Sequence, residues 1–171
     1  EGSILGGVVI EGVGLFNLII SNTINASGGS GIEIIIGRAS NNTITLNNIS
    51  GVAYGIRFGH GTDNNTITFN NISGSTRAIL FSTAFNEPVS YNTISNNVIS
   101  ASGIELTSFT FNNSGSHNCG GVIIDNGVDN NVTNVSCERQ TDLEILEIIP
   151  IQVVRNVDMV RDKSGIVRVV V

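Results

Sequence analysis

Tryptophan is missing from this chain, and Met, Pro, Cys and His are nearly so, at one, two, two and two residues in 171. Charge is also scarce, at 13% of residues. Each shortage excludes something. His60 and His117 stand far apart without Cys or carboxylate partners at ligand spacing, so no zinc centre is expected, and no motif calls for a cofactor. Lys is absent from residues 1–137, where eight acids (Glu1, Glu11, Glu33, Asp63, Glu87, Glu105, Asp125, Asp129) meet three bases (Arg38, Arg57, Arg77). Net charge is −6. A basic stripe for phosphate backbones is therefore lacking, and nucleic acid is not an expected partner. No apolar run reaches the roughly 18 residues of a transmembrane segment. The chain begins at Glu1 and its only Met is Met159, so it reads as a processed or cut product with no signal peptide remaining.

What is present is a repeat. A Gly-apolar-x-apolar phrase recurs as Gly7-Val8-Val9-Ile10, Gly31-Ile32-Glu33-Ile34, Gly55-Ile56-Arg57-Phe58, Ala78-Ile79-Leu80-Phe81, Gly103-Ile104-Glu105-Leu106 and Gly121-Val122-Ile123-Ile124. The starts at 7, 31, 55, 78, 103 and 121 give steps of 24, 24, 23, 25 and 18. An Asn-rich phrase follows each of the first four: Asn17 to Asn25, Asn42 to Ser50, Asn65 to Ser73, Asn92 to Ser100. Shorter copies follow at Phe109 to Asn113 and Asn131 to Cys137. A fixed period of this length means that one copy cannot bury its own apolar face and must stack on its neighbours.

Within a copy, Thr43-Ile44-Thr45-Leu46 and Thr66-Ile67-Thr68-Phe69 alternate with period two, which makes them strands. Three short strands per copy, separated by Gly or Asn turns, predict an all-β parallel helix of about six coils over residues 1–137. Ile44, Ile67 and Ile94 then lie one above another inside, as do Ile49, Ile72 and Ile99. Asn47, Asn70 and Asn97 stack at one corner, where Asn tolerates a left-handed backbone and can bond the amide on the next coil. The short step after residue 103 predicts a tight coil, with Thr107-Ser108 replacing the longer turn Gly59 to Asn64. The long turn Ser82 to Tyr91, holding Pro88, should bulge.

Composition changes at 138. Asn nearly disappears, Arg returns, and Asp162-Lys163-Ser164-Gly165 separates Met159-Val160-Arg161 from Ile166 to Val171 as in a hairpin. Residues 138–171 read as a β extension. From Asp142 to Val171 it resembles the start of a CARDB-type immunoglobulin-like module, and its Val-rich strands are open to pairing with another chain. Cys119 and Cys137 lie 18 residues apart, near one rung. They are either a disulfide across adjacent rungs or two small buried apolar residues.

From residue 7 to 137, the Asn-Asn-Thr-Ile-Thr and Gly-Ile-x-Phe phrases resemble the right-handed β-helix superfamily of pectate lyases, polygalacturonases, alginate epimerases and NosD-type surface proteins. That resemblance implies a groove on the outward face of the Gly-Ile-x-Ile strands. Here the outward row reads Val9, Glu33, Arg57, Leu80, Glu105, Ile123. Glu33, Arg57 and Glu105 are the catalytic candidates, with Glu33 and Arg57 placed to pair. Arg38 and His60 sit in the turns beyond. Glu33 and Glu105 fall three rungs apart, about 14 Å at the usual strand spacing, beyond what paired glycosidase carboxylates use. Asp125 and Asp129 crowd one turn and are the candidates for calcium, against a solvated turn. An outward Thr array resembles the face of ice-binding solenoids. Sequons make Asn25, Asn41, Asn64 and Asn112 glycosylation candidates. The expectation is a rigid solenoid outside the cell or on its surface, self-associating through its ends or C-terminal strands and carrying glycan. The competing reading is a polysaccharide-active enzyme or carbohydrate-binding module on the Glu33–Arg57–Glu105 face.

Overall fold

The computed structural model describes residues 7–25, 28–35, 38–82, 87–100 and 102–137. The extension expected from 138, with its hairpin and immunoglobulin-like resemblance, lies outside them. The first coil holds β1 (Val8–Glu11), β2 (Leu18–Ile20) and β3 (Thr23–Asn25). The second holds β4 (Ser30–Ile35), β5 (Thr43–Thr45) and β6 (Asn48–Ser50), and the third β7 (Tyr54–Gly59), β8 (Thr66–Thr68) and β9 (Asn71–Ser73). The fourth has β10 (Arg77–Ser82), a two-residue β11 (Val89–Ser90), β12 (Thr93–Ser95) and β13 (Val98–Ser100). Two abbreviated coils end it: β14 (Gly103–Leu106), β15 (Thr110–Phe111) and β16 (Ser114–Cys119), then β17 (Val122–Asp125) and β18 (Asn131–Val135). The expected six coils are thus four with a separate strand on each face and two shortened ones.

Every strand pairing is parallel and joins like to like on the next coil. Face A stacks β1, β4, β7, β10, β14 and β17. Face B stacks β2, β5, β8, β12 and the start of β16, and face C stacks β3, β6, β9 and β13. The expected columns are present: Ile44, Ile67 and Ile94 share one register, and Ile49, Ile72 and Ile99 another. All six are buried. Ile34, Phe58, Phe81 and Leu106 make a third column, with the two rings edge to face at 5.0 Å between centroids. The Gly of the face A phrase stands where space runs out. A Cβ on Gly31 would lie 2.5 Å from Ile49 Cγ2.

Two asparagine ladders hold the corners of face B. One runs Asn22, Asn47, Asn70, Asn97, Asn118, and the other Asn17, Asn42, Asn65, Asn92, Asn113, Asn130. At each step the backbone N–H and the Nδ2 of one Asn both donate to Oδ1 of the next, as Asn47 does to Asn70 at 3.0 Å. Nδ2 also reaches back: Asn70 donates to Ile44 O and Thr68 O, both at 3.0 Å. The second ladder was not expected. One correction concerns the left-handed backbone. It belongs not to the ladder asparagines but to the residues before them: Ser21, Leu46, Phe69, Asn96 and His117 at one corner, and Phe16, Asn41, Asn64, Tyr91, Asn112 and Asp129 at the other, with φ between 53° and 60°. For a bulky side chain this left-handed backbone costs roughly 1–2 kcal/mol.

The contraction after residue 103 also falls elsewhere than expected. Gly103 pairs with Val122, so the last step is 19, and Glu105 meets Ile124 rather than Ile123. Thr107 to Asn112 is as long as Gly59 to Asn64. The loss lies in the return from the second corner to face A, which falls from eight residues (Asn70 to Ala78) to six (Asn97 to Gly103) to four (Asn118 to Val122). Face C of that coil is reduced to Cys119, paired with Val98. Gly120 and Gly121, at φ 77° and 69°, then turn the chain back at once. The Ser82 to Tyr91 turn is indeed longer than its successor. Its residues 83–86 lie outside the described ones, and Glu87 and Pro88 are exposed.

Cys119 and Cys137 form a disulfide with Cα atoms 4.7 Å apart. It closes a loop over an 18-residue separation and clips the last coil. Replacing both with Ser is expected to lower unfolding stability by about 3 kcal/mol, and reducing agent should lower the wild-type melting temperature to that of the variant. The ladder makes a sharper prediction. Asn70→Ala strands Ile44 O and the donors of Asn47, so a loss of about 3 kcal/mol or more is expected in denaturant titration. Asn70→Asp puts a carboxylate against Asn97 Oδ1, Ile44 O and Thr68 O, where only a donor fits. It should be worse than Ala at pH 7 and recover as acid protonates it. Burial raises the folded-state pKa of such a group, so its ionisation penalty is absent below the unfolded-state pKa, grows as pH rises toward the folded-state pKa, and is complete above it.

Candidate functional site

Face A gathers the chemistry because, among the described strands, its strands are the ones that carry charge on their outward positions. The outward row is Val9, Glu33, Arg57, Leu80, Glu105 and Ile124. Glu33 and Arg57 meet across one rung, with Nη1 donating to Oε1 at 2.8 Å. The guanidinium also lies 5.7 Å from the centre of the Tyr54 ring on its own strand, and Arg57 Nε is buried without a hydrogen-bond partner. Glu105 is held by Arg77, whose Nε donates to Oε2. Sequence reasoning missed that pair. Arg77 opens β10 and reaches a carboxylate 28 residues ahead. Leu80 is 9% exposed and separates the two ion pairs. Beside Glu105 lies an open, shallow hollow of about 320 Å³ lined by Tyr54, Thr76, Arg77, Leu80, Ser82 and Thr107.

The register therefore keeps Glu33 and Glu105 three rungs apart. Each carboxylate faces its own arginine, and the two do not share a water or a glycosidic oxygen. Both ion pairs are partly exposed, so each contributes at most about 1 kcal/mol.

A second charged group sits in the turns that leave face A. Arg38, Gly61, Asp63, Glu87 and Pro88 line a hollow of about 230 Å³. Arg38 takes a left-handed φ of 61°. Asp63 accepts the backbone N–H of Ser90 at 2.9 Å. Desolvation raises the Asp63 pKa above its usual value, opposed by the Ser90 N–H and by the Arg38 charge. Asp63 carried no motif to mark it in the sequence. His60, at φ 24°, lies in the same turn.

The remaining candidates are placed as follows. Asp125 Oδ1 accepts from Gly127 N and from Asn130 Nδ2, each at 2.9 Å, so it caps the end of an asparagine ladder. Asp129 is the left-handed corner residue before Asn130. Among the described residues, no three His, Cys, Asp or Glu side chains converge as a metal centre would need. Asn41 and Asn64 are exposed on successive rungs of one corner, Asn112 is exposed there one rung beyond Tyr91, and Asn25 is exposed at the end of β3.

Asp63 gives a pH prediction. Its folded pKa is raised, so its charged form destabilises the fold; the penalty is absent below the ordinary unfolded-state pKa, grows as pH rises from there to the folded-state pKa, and is complete above it. Asn at this position keeps the acceptor for Ser90 N–H. Asp63→Asn is therefore expected to raise the melting temperature at pH 7, with the gain shrinking as pH falls toward 3. A lower melting temperature at pH 7 would show that the Arg38 attraction outweighs burial.

Searches of curated proteins and of solved structures return no match. The family model described as "Right handed beta helix region" matches residues 2–143. That span covers every described coil, and its parallel rungs, buried isoleucine columns and three-sided course are those of such a helix. The chain belongs to the right-handed β-helix family.

Proposed function

We propose that this chain is a rigid structural and interaction module that works outside the cell or on its surface, without catalysis of its own. The observation that carries this reading is the pairing on face A. The two carboxylates best placed for chemistry are each occupied by an arginine from a neighbouring rung. A leucine fills the row between them. Retaining and inverting glycosidases need two carboxyl groups about 5–9.5 Å apart, and this register does not supply them. The Cys119–Cys137 disulfide supports an oxidising compartment. Exposed sequons at Asn25, Asn41, Asn64 and Asn112 would carry glycan there. Along one corner successive rungs stand about 4.8 Å apart, so Asn41 and Asn64 compete for the same space and one of the two is modified per molecule. Self-association would use the solenoid ends or the C-terminal strands.

The alternative is a polysaccharide-active enzyme or binding module on the Glu33–Arg57–Glu105 face, and the hollow beside Glu105 is what favours it. The test is turnover of polyuronides and neutral glycans, with and without calcium. No product is expected from either. Product formation lost in Arg57→Ala would overturn the non-catalytic reading.

A further inference from the structure

Among the described residues, the charged side chains of the first five coils lie on face A and in the turns just beyond it, and face B carries none. Its outward positions form two columns, Leu18, Thr43, Thr66 and Thr93 in one, and Ile20, Thr45, Thr68 and Ser95 in the other. Leu18 and Ile20 are exposed, and the hydroxyl-bearing residues of the next three coils are half-buried. The threonines of the first column make no side-chain hydrogen bond; in the second, Thr68 donates a long one to Thr45 at 3.4 Å and Ser95 Oγ accepts the Ser116 N–H at 3.2 Å. The threonine hydroxyls thus remain open to an external partner.

The rims of this face carry the second observation. Leu46 and Phe69 stand on adjacent rungs of one corner at φ 58° and 55°. They are 54% and 58% exposed. Tyr91 holds the opposite corner at φ 57° and is 60% exposed. Equivalent corner positions on other coils hold Ser21, Asn96 and His117 on one side and Phe16, Asn41, Asn64, Asn112 and Asp129 on the other, mostly Asn, Asp or His, which take this backbone at less cost. Bulky apolar residues here combine backbone strain with exposed apolar area, and neither helps the fold. Such outliers persist where a surface is used.

We propose that face B binds an uncharged polysaccharide laid across the rungs. Hexose units present apolar C–H faces, which suit Leu46, Phe69 and Tyr91 at the rims. They also present hydroxyls, which suit the threonine columns. The missing charge selects against polyuronides and nucleic acids. It also sets this face apart from face A, where Glu33 and Glu105 are each paired with an arginine. The inference gives the interaction role proposed above its surface and ligand class, and rests on that role. Its failure can be told apart, because turnover abolished by Arg57→Ala would end the non-catalytic reading and leave face B retention untouched.

The test uses the full chain with insoluble β-glucan and chitin as neutral polymers and polygalacturonate as the charged one. Depletion of the protein by at least one neutral polymer, insensitive to salt, and none by polygalacturonate is expected. The variant Leu46→Asn/Phe69→Asn removes the apolar rim and relieves the left-handed strain. It should weaken retention about tenfold or more while its melting temperature stays level or rises. Thr66→Asp should abolish retention with face A unchanged. Absence of retention on either neutral polymer would overturn the proposal, as would retention equal in the double variant. It would likewise be overturned if the double substitution instead converted a dimer to a monomer, or if the wild type altered ice growth without binding polymer.

Discussion

A buried primary amide on a parallel solenoid meets an unusual circumstance: the same amide recurs one rung above and one rung below. Its oxygen can take two N–H donors from one side, and its NH₂ can serve the other side and its own rung together. Asn70 does all of this, joining Asn47, Asn97, Ile44 and Thr68. Asp lacks the donors, Ser and Thr have one each, and Gln is a methylene too long to fold back on its own rung. The ladder therefore demands Asn at each step. It also runs one way, each Oδ1 accepting from the rung before, so a chain built on it needs an acceptor to finish. Asp125 supplies one by taking the Nδ2 of Asn130. The Asp125–Asp129 turn, which sequence alone offers to calcium, is better understood as that terminus.

Because neutral amides do the joining, this fold has little use for charge. That explains a composition otherwise suggestive of disorder: few ionic groups, many Asn, Ser, Thr and Gly, yet a continuous core of Ile32, Ile56, Ile79 and Ile104 against Ile44, Ile67 and Ile94. The charge that exists collects on face A and its turns, where longer strands leave room for Arg57 and Arg77 to lie along the sheet. Faces B and C are left neutral in their outward rows. Uneven charge on one rod lets one side repel or pair ions while another meets an uncharged surface.

Much of this was legible in the repeat, and the misses have physical causes. The isoleucine columns and the Asn47–Asn70–Asn97 ladder follow from spacing alone. The other ladder hid inside Asn doublets. In Asn41-Asn42 and Asn64-Asn65 two candidates sit side by side, and nothing local says which points inward. Comparing copies would have decided it. The second position is Asn in each (Asn17, Asn42, Asn65, Asn92, Asn113), while the first varies through Phe16, Asn41, Asn64, Tyr91 and Asn112. The slipped register of the last coil was missed because Gly121-Val122-Ile123-Ile124 mimics the face A phrase, whereas the shortened return places Val122 opposite Gly103. The Arg77–Glu105 pair and the Arg38–Asp63 hollow depend on side-chain reach across turns of unequal length, which period cannot express.

Rung spacing also limits what chemistry this surface can acquire. On a globular scaffold a loop shift can bring two carboxylates together. On a solenoid, outward groups on one row are separated by whole rungs of about 4.8 Å. Glu33 and Glu105 cannot close on each other without breaking backbone pairs on every face at once. The position that governs this row is Leu80, one rung from Arg57 and one from Glu105. A carboxylate there would stand within a rung of Glu105 and two of Glu33, spacings at which like charges share protons and water. With leucine there, 9% exposed, the row is instead divided into two neutral pairs with an apolar seam between them. The inertness proposed for face A thus rests on one aliphatic side chain in a lattice that fixes every other distance.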